Sequence, residues 1–187
     1  MGNTPFFQLK TALFPVIVLT ILFLSYSSTS AQEQGGDAVL SDFLNVYNTS
    51  TGKAADLAGA IPEETYNWRP AEGIRSVKES VLHMAGGNYF FGSMIGAEIP
   101  EGIDPRSLEQ ADMTKEEAIA ALEASVQYIR DALGSMSAEE LDAKIDFFGN
   151  EITKRQAVFT LGDHCAEHLG QLIAYARMNG IAPPWSQ

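Results

Sequence analysis

From about Arg155 to Met178 the chain spells one long amphipathic helix, and this stretch restricts the fold more than any other. At 100° per residue, Val158, Leu161, Cys165, Leu169, Leu172 and Ala176 fall within about 80° of one another, an apolar stripe that other elements must cover. Asn179-Gly180 supplies the stop and Pro183-Pro184 the break beyond it. Two of the three histidines ride on the flank of the stripe, His168 about 20° outside it and His164 about 60° outside. Helical residues i and i+4 stack on one face with Cβ atoms about 5–6 Å apart, so both rings can reach one metal ion if a third ligand comes from elsewhere. Cys165 lies inside the stripe and reads as packing rather than as a thiolate ligand.

The remaining histidine, His83, sits in a helix opened by the capping box Ser76-Val77-Lys78-Glu79 and predicted to run to about Ile95. Val77, Val81, Met84, Asn88, Phe91 and Ile95 form one stripe of this helix; His83, Gly87, Phe90 and Met94 form a second, over about 100° away. A helix apolar nearly all round is buried, and Gly86-Gly87 lets a neighbouring backbone come in beside His83. If the three meet, His83, His164 and His168 form a three-histidine metal site; the alternative is partly buried side chains hydrogen-bonded to backbone. Asp163 and Glu167 are the candidate catalytic residues, as a general base or as partners for imidazole N–H groups; solvated helix positions are the plainer reading. For Trp68, Asn88 and Tyr89, core packing is favoured over a pocket role. His164-x-x-Glu167-His168 also fits the inverted zinc-peptidase motif, but that motif needs an acidic ligand well downstream and no acid follows His168.

Two further long helices complete the set. One spans about Asp37 to Ile61, with Phe43, Leu44 and Tyr47 on its apolar face. The other starts at a second capping box, Thr114-Lys115-Glu116-Glu117, and ends at Gly134. Pro62 to Arg75 is a connector and 96–113 a Gly/Pro-punctuated loop. Ser137-Ala138-Glu139-Glu140 starts a short helical turn, and Lys144 to Thr153 reads as two short strands around Gly149-Asn150. The expected fold is all-α, an antiparallel four-helix bundle with a hairpin excursion before the last helix; bundle cores are a usual place for metal sites.

Lys10, the apolar run Ala12 to Leu24, and the small residues Thr29 and Ala31 fit a signal peptide over residues 1–31. Thirteen apolar residues are few for a bilayer-spanning helix, which needs roughly 20, though an uncleaved anchor is the alternative. Residues 32–36 then form a spacer and 37–187 the domain, placed in the periplasm or outside the cell, with no stable membrane association after cleavage. The net charge of −12 argues against nucleic acid as a partner, because phosphate binding calls for basic patches. Cys165 is the only cysteine, so no intramolecular disulfide forms and the domain depends on its core or on a metal.

The chain resembles the DinB-like superfamily of four-helix-bundle proteins. The resemblance rests on helix order, on the upstream histidine, and on Asp163-His164-x-x-x-His168-x-Gly170-Gln171-Leu172. Trp68-Arg69-Pro70 and the ending Tyr175 to Pro184 add to it. It implies a bundle, often a homodimer, that binds one divalent metal (zinc, nickel or iron) through His83, His164 and His168. Some relatives are thiol-dependent transferases acting on a small-molecule substrate; the export signal departs from that pattern, since thiol cofactors are chiefly cytoplasmic. The expected function is a metal-dependent hydrolase or a thiol or group transferase. The alternatives are a non-catalytic metal-binding, stress-associated module and a metal-free interaction domain.

Overall fold

The computed structural model describes residues 1–2 and 29–186, with side chains in the first helix from residue 38 onward. The predicted signal segment lies almost wholly outside the described residues. The chain forms α1 (Thr29–Ala60), α2 (Val77–Ile95), α3 (Lys115–Gly134), a short α4 (Ala138–Asp142), the strands β1 (Lys144–Phe147) and β2 (Asn150–Thr153), and α5 (Lys154–Met178). The four long helices make the expected bundle. Around its axis α1 lies against α3 and α5, and α2 lies against the same two, so α1 and α2 face each other diagonally.

Local signals set the helix starts. Ser76, Thr114 and Ser137 each accept a hydrogen bond from the backbone N–H three residues on, and the glutamate there reaches back to the cap in a full capping box. Thr153 caps α5 by accepting from the Gln156 N–H. Gly96 closes α2 in the left-handed conformation at φ 106°. The first helix starts at Thr29, earlier than the pattern around Asp37 predicts, and runs on through Gly35-Gly36 despite their low helix propensity.

Every member of the predicted stripe on α5 is buried, as is every member of the first stripe on α2. Its second stripe, His83, Gly87, Phe90 and Met94, is half-buried, and the first three of these line a cleft rather than a second core face. At the centre Asn88, fully buried, ties three helices together. Its Nδ2 donates to Ser125 Oγ at 2.8 Å, and the Cys165 thiol points at its Oδ1 at 3.4 Å. Ser125 in turn donates to the Leu122 carbonyl, so this polar knot leaves its side chains satisfied, as a buried network must. Tyr89 packs on Tyr128, and Cys165 is a core residue whose thiol burial pushes up to about 12.

The antiparallel hairpin pairs Ile145 with Ile152 and Phe147 with Asn150. Its turn residues are Phe148 and Gly149, one position earlier than the predicted Gly149-Asn150. Both have positive φ, 53° and 83°, as a two-residue hairpin turn of the primed type requires. For phenylalanine this conformation costs roughly 1–2 kcal/mol, and the side chain is 74% exposed.

Candidate metal centre

His83 is carried on α2 two turns beyond its cap, and His164 and His168 sit one turn apart on the neighbouring α5. The structure brings all three together. One ligand nitrogen from each lies within 4.8 Å of those of the other two. His83 Nε2 and His164 Nε2 are 3.2 Å apart, and the ring of His168 stands edge-on to both. Two imidazole nitrogens bound at 2.0–2.1 Å to one tetrahedral ion lie about 3.3 Å apart, so this spacing suits a shared ion.

The glycine pair on α2 makes the approach possible, each for its own neighbour. A Cβ on Gly86 would lie 2.6 Å from the Pro105 carbonyl oxygen, so this residue admits the loop 96–114. A Cβ on Gly87 would meet the His164 ring, 3.1 Å from Nδ1 and 3.2 Å from Nε2, so Gly87 admits a side chain rather than the expected backbone.

Two of the rings are oriented by groups outside the ligand set. His83 Nδ1–H donates to Glu109 Oε2 at 2.8 Å, and Glu109 Oε1 accepts from Arg75 Nε at 2.8 Å. His168 Nδ1–H donates to Gln171 Oε1 at 2.8 Å; the amide of Gln171 donates onward to Tyr175 Oη, and the Tyr175 ring packs edge-on against Trp68. A proton fixed on Nδ1 leaves Nε2 with a free lone pair, which is how outer hydrogen bonds select the tautomer a metal needs. His164 Nδ1 is buried with no hydrogen-bond partner among the described residues.

Burial lowers the pKa of His83, outweighing the Glu109 bond that works the other way. Burial, reinforced by the nearby His168 and His83 rings, lowers His164 to about 4. Both rings are thus neutral at neutral pH, the form that ligates a metal. For Glu109 burial acts upward, but the hydrogen bonds from Arg75 and then His83 prevail and hold its carboxyl below the ordinary range. The donor set, three imidazoles with two tied down from behind, fits a divalent ion of the zinc, nickel or iron class.

The sequence profile of the DinB superfamily matches residues 47–172. The protein belongs to this superfamily. The chain is 26% identical over 145 residues to the uncharacterized protein YjoA of Bacillus subtilis, an overlap of 76% of this chain and 89% of that one. The crystal structure of YjoA superposes with a TM-score of 0.60 at 25% identity, covering 74% of this chain and 92% of that one. A DinB-like protein from Bacillus cereus superposes with a TM-score of 0.67 at 17% identity, covering 76% and 93%. A variant of a mycothiol-dependent maleylpyruvate isomerase shares the fold at a TM-score of 0.59 and 12% identity, covering 71% of this chain and 60% of that one.

In this DinB-superfamily site the two predicted catalytic candidates stand apart from the imidazoles. Asp163 and Glu167 are exposed, and neither hydrogen-bonds a histidine among the described residues. The orienting partners are Glu109, which the sequence reading did not name, and Gln171, which it named only as part of the family motif. Gln171 had a usable signal, its i+3 spacing from His168 on the helix. Glu109 had none beyond being one acid among several in the loop.

Proposed function

We propose that the protein binds one divalent metal ion through His83, His164 and His168 and uses it in hydrolysis or group transfer on a small-molecule substrate. The observation that carries the reading is the convergence of three ligand nitrogens with the Nδ1 atoms of His83 and His168 already committed to Glu109 and Gln171. Three neutral ligands would leave a bound ion its positive charge, and such an ion would supply Lewis acidity toward water, a thiol or a carbonyl. The protein's own part is to hold the rings neutral and oriented. The Glu109–Arg75 pair fixes one ring, and the chain Gln171–Tyr175–Trp68 braces another.

Metal content of the purified protein, by mass spectrometry, tests the first half: about one ion per chain is expected, and none in His168→Ala. Absence of a stoichiometric ion, with no loss of thermal stability on chelation, would sink the site. Hydrolysis and thiol-addition substrates screened against wild type and His168→Ala test the second half, and turnover that survives the substitution rejects a metal-dependent reaction. The non-catalytic module is what remains if metal binds and no turnover is found.

The proposal places this activity outside the cytoplasm, on the strength of Lys10, the apolar run and the small residues Thr29 and Ala31. Cell fractionation, with the N-terminus of the mature chain read by sequencing, checks it; an intact Met1 on a cytoplasmic protein would reject it.

A further inference from the structure

The cleft beside the three histidines has a volume of about 320 Å³, at the small end of ligand pockets. Phe90 and Phe91 line it, and so does Arg106 from the loop. The aromatic wall does not stop at the cleft edge. Phe148 stacks on Phe90 with centroids 5.8 Å apart and planes 25° from parallel, while Phe147 stacks on Phe91. Phe148 occupies the turn position that suits asparagine or glycine, in the left-handed region, and leaves most of a large apolar ring in water. Hairpin register sets the position, and turn propensity does not select phenylalanine for it. Strained backbone of this kind clusters at ligand sites.

Arg106 is the cation that lines this cleft. In a chain of net charge −12, its guanidinium has no ion-pair partner among the described residues, whereas the nearby Arg75 is committed to Glu109. Its backbone N–H donates to Asp104 Oδ1 at 3.0 Å, so the root of the side chain is fixed while its head is free.

We propose that the cleft takes an organic acid with a flat, apolar body: the anionic end on Arg106, the body against Phe90 and Phe148. The geometry brings such a molecule beside His83 and His164, which line the same cleft. The inference deepens the metal-site reading and rests on it only for what happens to the ligand once bound. Arginine matches a carboxylate through paired N–H donors, and an aromatic face gains most from a planar partner. Asparagine at position 148 would relieve the backbone and remove the ring, whose packing on Phe90 and Phe147 offsets only part of that relief, so ligand binding falls while stability rises by the remainder.

The test uses 2-naphthoate, with its fluorescence anisotropy as readout, and the neutral 2-naphthalenemethanol and acetate as half-probes. Zinc-loaded wild type, Phe148→Asn, Arg106→Gln and metal-free His168→Ala are compared. Wild type binds 2-naphthoate about tenfold or more tighter than either half-probe, because each end adds a contact. In Phe148→Asn the affinity falls by about fivefold, as expected for one aromatic contact, while the melting temperature rises by about 2–4 °C. Arg106→Gln loses the preference for the acid over the alcohol. His168→Ala retains the dependence on Phe148 and Arg106, so failure of the metal reading leaves this result standing. Saturable naphthoate binding that ignores both substitutions, no saturable binding at all, or a lower melting temperature in Phe148→Asn would each overturn the proposal.

Discussion

Replacing Gly87 by alanine separates the needs of the helix from those of the site. In a helix interior alanine is favoured over glycine by about 1 kcal/mol, so α2 taken alone gains from the change. The new methyl would lie 3.1 Å from His164 Nδ1 and 3.2 Å from Nε2, closer still to the carbon between them. Carbon contacts settle at about 3.5–4.0 Å, and Cε1 is the atom that clashes most, so the ring must withdraw by roughly 1–1.5 Å. Metal–ligand distances tolerate about ±0.2 Å, several times less. His164 therefore ceases to be an effective ligand. Disturbing only an outer partner already costs 10–100-fold in affinity, so a loss of about 100-fold, or ~2.7 kcal/mol, is a conservative expectation. Competition with a chromophoric chelator measures it, and urea unfolding of the metal-free protein checks that the fold is kept. Gly92→Ala is the control. Its Cβ would strike Tyr128, with Oη at 2.9 Å, on the side of α2 facing α3; it should lower stability and leave metal affinity alone. A Gly87→Ala protein with metal affinity within about threefold of wild type would refute the reasoning, since the closeness of methyl and ring predicts a tenfold loss at the least.

Three further outcomes are expected. In Glu109→Gln the amide cannot accept from both His83 and Arg75, so metal affinity should fall about 10–100-fold in the same competition assay; an unchanged value would mean that His83 orients itself. The pKa of His164 falls from 6.5 unfolded to about 4 folded, so the unfolded chain binds the extra proton between those values; His83 shifts in the same direction. The stability this neutral ring contributes is complete above about pH 6.5 and is lost as pH falls toward 4, so urea midpoints of the metal-free protein should drop from about pH 7 to about pH 5, and drop less in His164→Gln. Cys165, buried with its thiol pushed up to about 12, should react with a thiol reagent at least about 100-fold more slowly in the native protein than when unfolded; fast native labelling would place it in the cleft instead of the core.

The parts of the fold legible in the sequence are those governed by neighbours in the chain. Ser76, Thr114 and Ser137 announce their helices because a cap and its glutamate lie three residues apart, and the i, i+4 spacing of His164 and His168 is fixed by helix geometry alone. His83 was readable as the third histidine of the DinB-like pattern, while its place off the main stripe of its helix spoke against it. Glu109 was not readable, because Glu98, Glu101 and Glu109 are equivalent acids in a loop without periodicity, and only tertiary packing of the loop on Gly86 selects one of them. The hairpin turn shifted by one residue for a related reason. Gly149-Asn150 has turn composition, but the pairing of Ile145 with Ile152 fixes the register, and register places Phe148 in the turn whatever its propensity.

The caps also act as phase markers. Ser76 precedes His83 by close to two whole helical turns, and Thr153 precedes His164 by close to three, so each histidine points in nearly the same direction as the residue that starts its helix. One residue inserted between cap and ligand would turn the imidazole by about 100° and move it about 1.5 Å along the axis. The same insertion between α3 and α4, at Ser135-Met136, alters no such phase. Scanning single-alanine insertions along the chain, with metal affinity as readout, should therefore find two short intervals of absolute intolerance, 77–83 and 154–168, in a bundle that elsewhere accepts changes of length at its connections. The site is thus a constraint on chain length as much as on residue identity, and its evolutionary trace would be spacing that stays fixed while the loops around it drift.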